Sequence, residues 1–419
     1  MTSILDINDC ALTLFDGGNR LYSEPAVALI QNKNILFGDA ALRRARIHPQ
    51  QANQQYLARL NADPLPHPTN LAANHADLVY LHLKELTAMA DELLLAVPGI
   101  MSSDQLGVLL GIAQEAGVNV CGFVDTAVAS AGTCASAPAT HHVELHLHRA
   151  CVSTLKVDEQ IERVSAEEIP ESGFANLLDA WVNVIADRFV RDTRFDPLHA
   201  AESEQQLYDQ VYEWVLGPGS SMQPIPAAEI AIDIDHQNYV RHVDVPRTVL
   251  EDKATQRLQR LLDTLPSGAH VTLSARDAGL PGLRAALRLA GHSVTELPAD
   301  ALAAACQQHE ARMRSSGDGL RLVTSLPNGN RLTESSPAES AVRRPTHLLN
   351  RASAHAGAVD ANPPEQPFAI ERRGDGVHLR TAEASVSLNG ERPAPDALLH
   401  SGDEIAHGGA RYLLIAVDG

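Results

Sequence analysis

Hydrophobic and polar positions follow two distinct patterns along the first part of the chain. Short apolar runs between residues 3 and 38 are separated by turn residues, which predicts a meander of antiparallel strands. A continuous apolar run at 93–97, an apolar stripe with helical spacing over 103–116 and another apolar run at 118–123 follow. This order predicts a buried strand, a crossover helix and a second, parallel strand.

The same order of patterns begins again at residue 142. Apolar residues alternate with polar ones over 142–147, and a companion segment at 150–157 predicts an antiparallel pair. A long helical stripe over 174–189 follows, and later apolar segments at 270–274 and 292–297 alternate with helical stripes. The repeated order, without a close repeat of the sequence itself, predicts an α/β fold with two similar lobes.

A third pattern begins near residue 316. Short apolar segments, the first at 320–326, are separated by Gly, Pro, Asn and Asp, which predicts a small all-β sandwich or barrel. Segments 327–343 and 353–367 are rich in small and polar residues and are predicted as long loops. The predicted domains are 1–315, with lobe I over about 1–140 and lobe II over about 141–315, and 316–419.

The charge balance limits the range of partners. The 419 residues include 33 Lys and Arg against 52 Asp and Glu, a formal net charge of -19. Nucleic acids and anionic membranes need clustered positive charge, so we expect neither as the main partner. No segment approaches the ~20 apolar residues that span a bilayer, and the N-terminus lacks the pattern of a signal peptide. Five cysteines, an odd number without a C-x-x-C pair, favour a reducing cytoplasm.

Several strings in this sequence carry a family resemblance. The strings EPAVA at 24–28, FGDAA at 37–41, LAVPG at 95–99 and FVDTAVA at 123–129 occur in this order, with a loop at 274–283 after them. Together they resemble the ATPase domain of the heat-shock-seventy chaperones, which has the actin fold. The resemblance implies a duplicated ribonuclease-H-like, two-lobed fold, ATP or ADP with Mg²⁺ in its cleft, and a chaperone-related role.

The resemblance also assigns two phosphate loops to this sequence. The first falls on residues 6–9, where the family has D-x-G-T-T, and the second on 144–149, where it has D-x-G-G-G-T. Phosphate binding of this kind needs small residues, because backbone N–H groups must approach the phosphate oxygens closely. Here Asp9 places a carboxylate in the first loop, and the second loop contains no glycine. The implied nucleotide-binding residues are Asp6, Asn8, Asp9, Glu144, His146, His148, Ser274 and Gly279.

Two acidic residues match carboxylates on the metal side of the family's site. Asp6 and Asp125 are therefore the candidate catalytic residues, while the family's catalytic lysine falls near Ala58. With so many nucleotide contacts altered, we favour a pseudo-ATPase: a weak or non-hydrolysing scaffold or adaptor that contacts a protein partner. An active Mg-ATP-dependent chaperone-like ATPase, with Asp6, Asp9 and Asp125 holding Mg²⁺, stays open. Both bound ATP or ADP and the absence of any cofactor stay open as well.

Alternating histidines offer a third function. His142, His146 and His148 fall on one face of a predicted strand, and alternate histidines on a strand can bind Zn²⁺. The same pattern fits a solvated strand face or a filled phosphate site. Asp6 and Asp9 likewise fit either an Mg²⁺ site or turn carboxylates that accept backbone N–H groups. A metal-binding protein is therefore a further alternative.

The C-terminal module carries a shorter resemblance. The strings VSLNG at 386–390 and LLHSGDEI at 398–405, with the apolar segment 412–417, are similar to the second half of a forkhead-associated domain. Of that family's binding residues only Asn389 has a counterpart, and its phosphothreonine-binding Arg and Ser pattern is absent. The resemblance implies contact with a protein partner, while phosphopeptide binding, polymerisation and the oligomeric state stay open.

Overall fold

A computed structural model of the chain contains two compact units, Met1–Thr333 and Glu334–Gly419. The residues that it describes are 2–87, 89–90, 92–131, 137, 139–216, 229–314, 321–328, 347–350, 355–358, 367–373, 376–381, 385–400, 403–408 and 410–415. Within these ranges, no helix is both long enough and apolar enough to cross a lipid bilayer.

The first unit combines strands and helices throughout. Its first half contains β1 (Ser3–Asp6), β2 (Leu12–Asp16), β3 (Asn19–Glu24), β4 (Ala28–Ile30), β5 (Ile35–Phe37), α1 (Gly38–Leu42), β6 (Ala52–Asn53), α2 (His75–Thr87), β7 (Glu92–Val97), α3 (Ser103–Glu115), β8 (Asn119–Asp125) and α4 (Thr126–Ala131). Its second half contains β9 (Ala139–Leu145), β10 (Arg149–Val157), β11 (Gln160–Pro170), α5 (Phe174–Thr193), a 3-10 helix (Pro197–His199), α6 (Ala201–Leu216), β12 (Glu229–His236), β13 (Tyr239–Pro246), α7 (Arg247–Arg257), α8 (Gln259–Thr264), β14 (His270–Leu273), α9 (Ala275–Gly279), α10 (Leu283–Leu289), β15 (Ser293–Glu296), α11 (Ala301–Gln308), α12 (Glu310–Met313), β16 (Leu322–Val323) and β17 (Ser325–Pro327). This unit is mixed α/β, as the hydrophobic patterns predicted.

Two six-stranded sheets organise the first unit. One has the order β16-β8-β7-β1-β2-β3, and the other has the order β15-β14-β9-β10-β11-β17. In each sheet three successive strands pair antiparallel. Two later strands then extend each sheet in parallel from the first of the three. The five principal strands of the two halves therefore have the same order and the same directions.

Local sequence signals account for the central elements of the first sheet. Every residue of β7 after Glu92 is buried, as a continuous apolar run in a parallel sheet requires. The N-terminus of α3 carries a capping box, in which Ser102 Oγ accepts from the Gln105 N–H at 3.2 Å and Gln105 Oε1 accepts from the Ser102 N–H at 3.1 Å.

Three buried clusters form the core of the first unit. One packs α2 and α3 on the first sheet, and a second packs α5, α6, α7 and the β12–β13 hairpin on the other sheet. The indole of Trp181 is fully buried in this second cluster and donates to the Leu250 carbonyl at 2.9 Å. The third cluster combines Ile4 and Leu155, from different sheets, with residues of α4 and α11. The two lobes therefore share a core.

The last two strands of the first unit each pair with a different sheet. β16 pairs parallel with β8, and β17 pairs antiparallel with β11. The predicted strand at 320–326 is therefore two short strands that belong to different sheets. As a result the first unit extends past residue 315, where we predicted the domain boundary, and the β module is shorter than 316–419.

Among the described residues of the second unit, the regular secondary structure consists of strands joined by turns. They are β18 (His347–Asn350), β19 (His355–Ala358), β20 (Phe368–Arg372), β21 (Val377–Thr381), β22 (Ser387–Leu388), β23 (Ala397–Leu399), β24 (Glu404–His407) and β25 (Ala410–Ile415). One sheet has the order β19-β18-β25-β24-β22 and the other β20-β21-β23, around a core that includes Phe368, Leu379 and Ile405. β19 lies in the segment 353–367, which we predicted as a loop, and pairs with β18. Most of the predicted loop 327–343 lies outside the described residues.

Candidate functional site

A cleft of about 670 Å³ lies between the two lobes of the first unit. The ends of β1 and β9 and the segment that includes α9 form part of its lining. Of the residues singled out from the sequence, those that line it are Asp6, Asn8, His142, Glu144, Ser274 and Gly279. The structure thus brings residues of the two predicted phosphate loops and of the loop at 274–283 to one cavity.

Asp9 bridges the two predicted phosphate loops. Its Oδ1 accepts a hydrogen bond from the Leu147 N–H at 2.7 Å and lies 3.2 Å from His146 Nδ1. Burial alone would raise the pKa of Asp9, but the hydrogen bonds from His146 and the Leu147 N–H overcome that effect and hold this pKa below its ordinary value. The carboxylate that the sequence placed in the first loop therefore binds the second loop of its own chain.

The backbone N–H and carbonyl of Leu145 are hydrogen-bonded to three side chains. Its N–H donates to Asp277 Oδ2 at 3.3 Å. Its carbonyl accepts from Asn8 Nδ2 at 3.3 Å and from Arg276 Nη2 at 3.1 Å. Arg276 is itself paired with Asp277, at 3.1 Å between Nε and Oδ1. The N–H and the carbonyl of Leu145 are therefore both hydrogen-bonded already, to side chains of the first lobe and of α9.

The N–H groups at the N-terminus of α5 are likewise hydrogen-bonded within the chain. A helix N-terminus presents free N–H groups and is a ready anion site. Here the N–H of Phe174 donates to the His146 carbonyl and the N–H of Ala175 to the Leu147 carbonyl, both at 2.7 Å. A Cβ on Gly173 would lie 2.4 Å from the Leu147 carbonyl oxygen, so the absence of a side chain at Gly173 permits this close approach. The second loop therefore occupies the helix end where an anion would bind.

Asp6 and Glu144 face the cleft with unsatisfied carboxyl oxygens. Glu144 is 3% exposed, and neither its Oε2 nor Asp6 Oδ1 has a hydrogen-bond partner among the described residues. Burial raises the pKa of Asp6 to about 6, although the Arg276 charge partly opposes this. Burial also raises the pKa of Glu144 well above its ordinary value, and the nearby Asp6 and Asp125 carboxylates add to the effect. These two residues are the best placed to hold a ligand.

Asp125 lies away from the cleft lining. Its side chain is fully buried, and its Oδ2 lies 2.6 Å from Arg163 Nε of β11. Its Oδ1 accepts from the Val128 N–H at 3.1 Å, at the start of α4. Burial raises the pKa of Asp125 even though the Arg163 guanidinium opposes the shift. The predicted catalytic carboxylate is therefore paired with an arginine of the other lobe, and it caps a short helix.

The histidines do not share one strand face. β9 ends at Leu145, so His146 and His148 lie in the turn before β10, contrary to the predicted alternation. His142 Nδ1 is hydrogen-bonded to Thr272 Oγ1 at 3.0 Å, and burial lowers the pKa of His142 to about 4. In the part of the chain that the structure describes, no three His, Cys, Asp or Glu side chains are grouped to hold a metal ion.

No protein-family model matches this chain, and no curated protein matches it. The chemistry of the cleft and its surroundings is therefore the basis for any functional conclusion. The first unit also contains features beyond the residues that the sequence singled out.

Arg46 joins the two lobes at a second place. Its guanidinium pairs with Asp179 of α5 at 2.8 Å and with Glu204 of α6 at 3.6 Å, and it lies 3.6 Å above the centre of the Tyr208 ring. Its backbone N–H donates to Gln205 Oε1 at 2.8 Å. We call this set of contacts the lobe latch. It fixes the turn after α1 to the helices of the second lobe.

Sequence reasoning missed several residues of the site. Arg276 and Asp277 were passed over within the loop at 274–283, although an adjacent charged pair among small residues was a visible signal. Trp214, which is partly buried, also lines the cleft. The partners of Arg46 had no sequence signal, because the contacts join residues more than a hundred positions apart.

Proposed function

We propose that this protein is a non-hydrolysing scaffold whose first unit has a duplicated ribonuclease-H-like, actin-like fold, similar to the heat-shock-seventy ATPase domain. The shared strand order and directions of the two six-stranded sheets support the duplication. The common core through α4 and α11 and the cleft between the lobes also agree with it. In this proposal the cleft no longer serves as a nucleotide hydrolysis site.

One observation carries the proposal: the backbone groups that would have to hold phosphate are hydrogen-bonded to the protein itself. The N–H groups of Leu145 and Leu147 donate to Asp277 and Asp9. A phosphate could bind them only after these buried, charge-assisted hydrogen bonds had been broken, and each contributes about 1.5–3 kcal/mol. The second loop is thus closed against phosphate by its own chain.

The charges in the cleft support the same conclusion. A triphosphate would approach Asp6 and Glu144, two carboxyl groups without hydrogen-bond donors on their inner oxygens. The nearby guanidinium of Arg276 is already bound to Asp277 and Leu145. With a pKa of about 6, Asp6 is mostly ionised at pH 7, and its charge repels a polyanion more strongly in a cleft of low dielectric than in water, so a polyanion would be disfavoured without added metal.

A protein partner and a cytoplasmic location belong to the same proposal. The partner assignment rests on the forkhead-associated resemblance of the second unit. In that unit Asn389 Nδ2 donates to Asp403 Oδ1 and Asn389 Oδ1 accepts from the Glu404 N–H, both at 2.8 Å, so this side chain fixes a turn. Free cysteines at Cys10 and Cys151 agree with a reducing compartment.

The experiment is a calorimetric titration of the full chain with ATP and with ADP, each in the presence of Mg²⁺, alongside an assay for released phosphate. We expect no saturable binding at concentrations up to about 1 mM and no phosphate release above that of buffer. Circular dichroism and urea unfolding establish that the protein sample is folded. Micromolar ATP binding with hydrolysis that Asp6→Asn abolishes would instead establish the active chaperone-like ATPase.

A further inference from the structure

Glu144 is the most unusual group in the cleft. Its side chain is 3% exposed, it lines the cavity, and its Oε2 has no donor among the described residues. Asp6, which lines the same cavity, likewise has an oxygen, Oδ1, without a donor among the described residues. Buried polar atoms are almost always hydrogen-bonded, and a buried acceptor without a donor is costly. These carboxyl oxygens, one from each lobe, line the same cavity and indicate a missing donor that enters from the cleft.

Three of the four described arginines in the cleft lining are paired with carboxylates other than Asp6 and Glu144. Arg247 Nε lies 2.7 Å from Glu251 Oε1, and Arg284 Nη1 lies 3.2 Å from Glu296 Oε2. Arg276 is paired with Asp277, as described above. The fourth, Arg20, is exposed and makes no hydrogen bond to Asp6 Oδ1 or Glu144 Oε2, so both oxygens lack a donor. The group that completes these two carboxyls should therefore be a cation from outside the chain.

Other parts of the lining favour an organic cation over a bare metal ion. Ca²⁺ takes about six to eight oxygen ligands, and the described residues contain no group of three His, Cys, Asp or Glu side chains that could hold it. Mg²⁺ can be bound by one or two carboxylates together with waters, so it is tested by a titration of its own. Aromatic side chains also line the cleft, namely Phe15, Tyr212 and Trp214. Aromatic faces attract organic cations and contact their apolar parts at the same time.

We propose that the cleft binds a small organic cation whose ammonium or guanidinium group is held between Asp6 and Glu144. The ligand class is therefore an amine or guanidine with a short apolar chain. Its N–H groups donate to the two unsatisfied oxygens, and its charge favours the ionised form of both carboxyls in the bound state. This inference goes beyond the scaffold proposal and does not depend on it. Whether the chain binds ATP does not determine whether it binds an amine.

The test is a calorimetric titration of the full chain with agmatine, which carries an ammonium and a guanidinium group on a four-carbon chain. Separate titrations use 1-pentanol as an uncharged compound, Mg²⁺ alone, and ATP with Mg²⁺. We expect saturable binding of agmatine and none of pentanol. Glu144→Gln removes the charge at constant shape and should weaken agmatine binding about tenfold or more, because a charge-assisted hydrogen bond is lost.

Two further variants make the result decisive. Asp6→Asn should weaken binding to a similar extent, and it decides the question if Glu144→Gln fails to fold in urea-unfolding experiments. Glu296→Gln is the matched control, since Glu296 lines the same cleft but is paired with Arg284, and it should change agmatine affinity by less than about twofold. The proposal is overturned if agmatine does not bind, if Asp6→Asn leaves its affinity unchanged, or if Mg²⁺ alone binds more tightly than agmatine. ATP binding would contradict the scaffold proposal alone.

Discussion

Asp9 and Leu147 are joined by a 2.7 Å hydrogen bond from the Leu147 N–H to Asp9 Oδ1, which connects the first lobe to the second. Both residues are buried, and Asp9 is 138 positions from Leu147 in the chain. The contact is a loop–loop interaction made within the chain itself. It therefore makes the arrangement of the two loops a property of the folded protein, independent of any bound anion.

This contact leads to the first prediction. Asp9→Ala should lower the free energy of unfolding of the first unit by about 3 kcal/mol, because it leaves the Leu147 N–H buried without an acceptor. Asp9→Asn keeps an acceptor but loses the charge, so it should cost about half as much. Urea unfolding at pH 7 measures both. The control is Asp104→Asn, an exposed site in α3, which should change stability by no more than about 0.5 kcal/mol.

The same contact sets a pH dependence. The pKa of Asp9 is below its ordinary value in the folded protein, so the folded state favours the ionised carboxylate. Its contribution to stability is therefore fully present above the ordinary carboxyl pKa and is lost as the pH falls through the lowered one. Asp9→Asn should have a flatter stability curve below pH 4 than the unmodified chain. Equal curves would show that the Asp9 charge does not stabilise the loops.

Gly173 supports the second prediction. A Cβ at this position would lie 2.4 Å from both the Leu147 carbonyl oxygen and the Arg149 nitrogen, and backbone atoms cannot move aside cheaply. Gly173→Ala should therefore destabilise the first unit by about 2 kcal/mol or more. Gly111→Ala is the matched control, because a Cβ on this residue of α3 would meet nothing within 4 Å. It should stabilise the protein by about 0.5–1 kcal/mol through helix propensity.

Thermal unfolding of the two glycine variants separates the close-approach argument from a general effect of adding a methyl group. If both variants lose stability equally, the tight fit of the second loop against α5 does not explain why residue 173 is a glycine. If Gly173→Ala alone is destabilised, the close contact between the second loop and the N-terminus of α5 requires a glycine at position 173.

Several elements could be predicted from the sequence because their signals are local. The apolar run at 93–97 became part of β7, and the helical stripe over 103–116 became α3. The pairing of Arg276 and Asp277 with Leu145 was out of reach, because the sequence gives no distances between segments so far apart. The apparent alternation through His148 misled us because a strand can end within an alternating pattern, as β9 does at Leu145.

The lobe latch supports the third prediction. Arg46 is partly buried and combines two carboxylates with the ring of Tyr208. Arg46→Ala should therefore lower the free energy of unfolding by about 1–2 kcal/mol, more than an exposed ion pair would. Arg44→Ala is the control: Arg44 is an exposed arginine two residues away, and its removal should change stability by no more than about 0.5 kcal/mol.

Hydrogen exchange tests the latch more directly than global stability. The Arg46 N–H donates to Gln205, so its exchange should become faster in Arg46→Ala if the side chain holds the turn against α6. Exchange of the buried amides of β7 should stay unchanged, since they lie in a different cluster. An unchanged rate at residue 46 would mean that the guanidinium contacts do not hold the lobes together.

The fourth prediction concerns His82. Its ring is hydrogen-bonded to Tyr56 at 2.7 Å and to Tyr22 at 3.0 Å, and burial lowers its pKa to about 4. The unfolded chain takes up a proton near pH 6.5, whereas the folded chain does so only near 4. Stability is therefore full above pH 6.5 and falls as the pH decreases from 6.5 to 4, by about 3 kcal/mol for this group.

His82→Gln keeps a hydrogen-bonding side chain without a titrating ring, so its stability should fall less steeply between pH 6.5 and 4. The slope should not vanish, because His142 has a similarly lowered pKa. His242→Gln is the control with the opposite sign: hydrogen bonds to Asp233 and Asp244 raise the pKa of this exposed histidine, so its contribution is lost as the pH rises. Urea unfolding at half-unit pH steps compares the three chains. A His82→Gln curve as steep as that of the unmodified chain would mean that His82 is protonated in the folded protein, and the buried Tyr–His–Tyr arrangement would then need a different charge state.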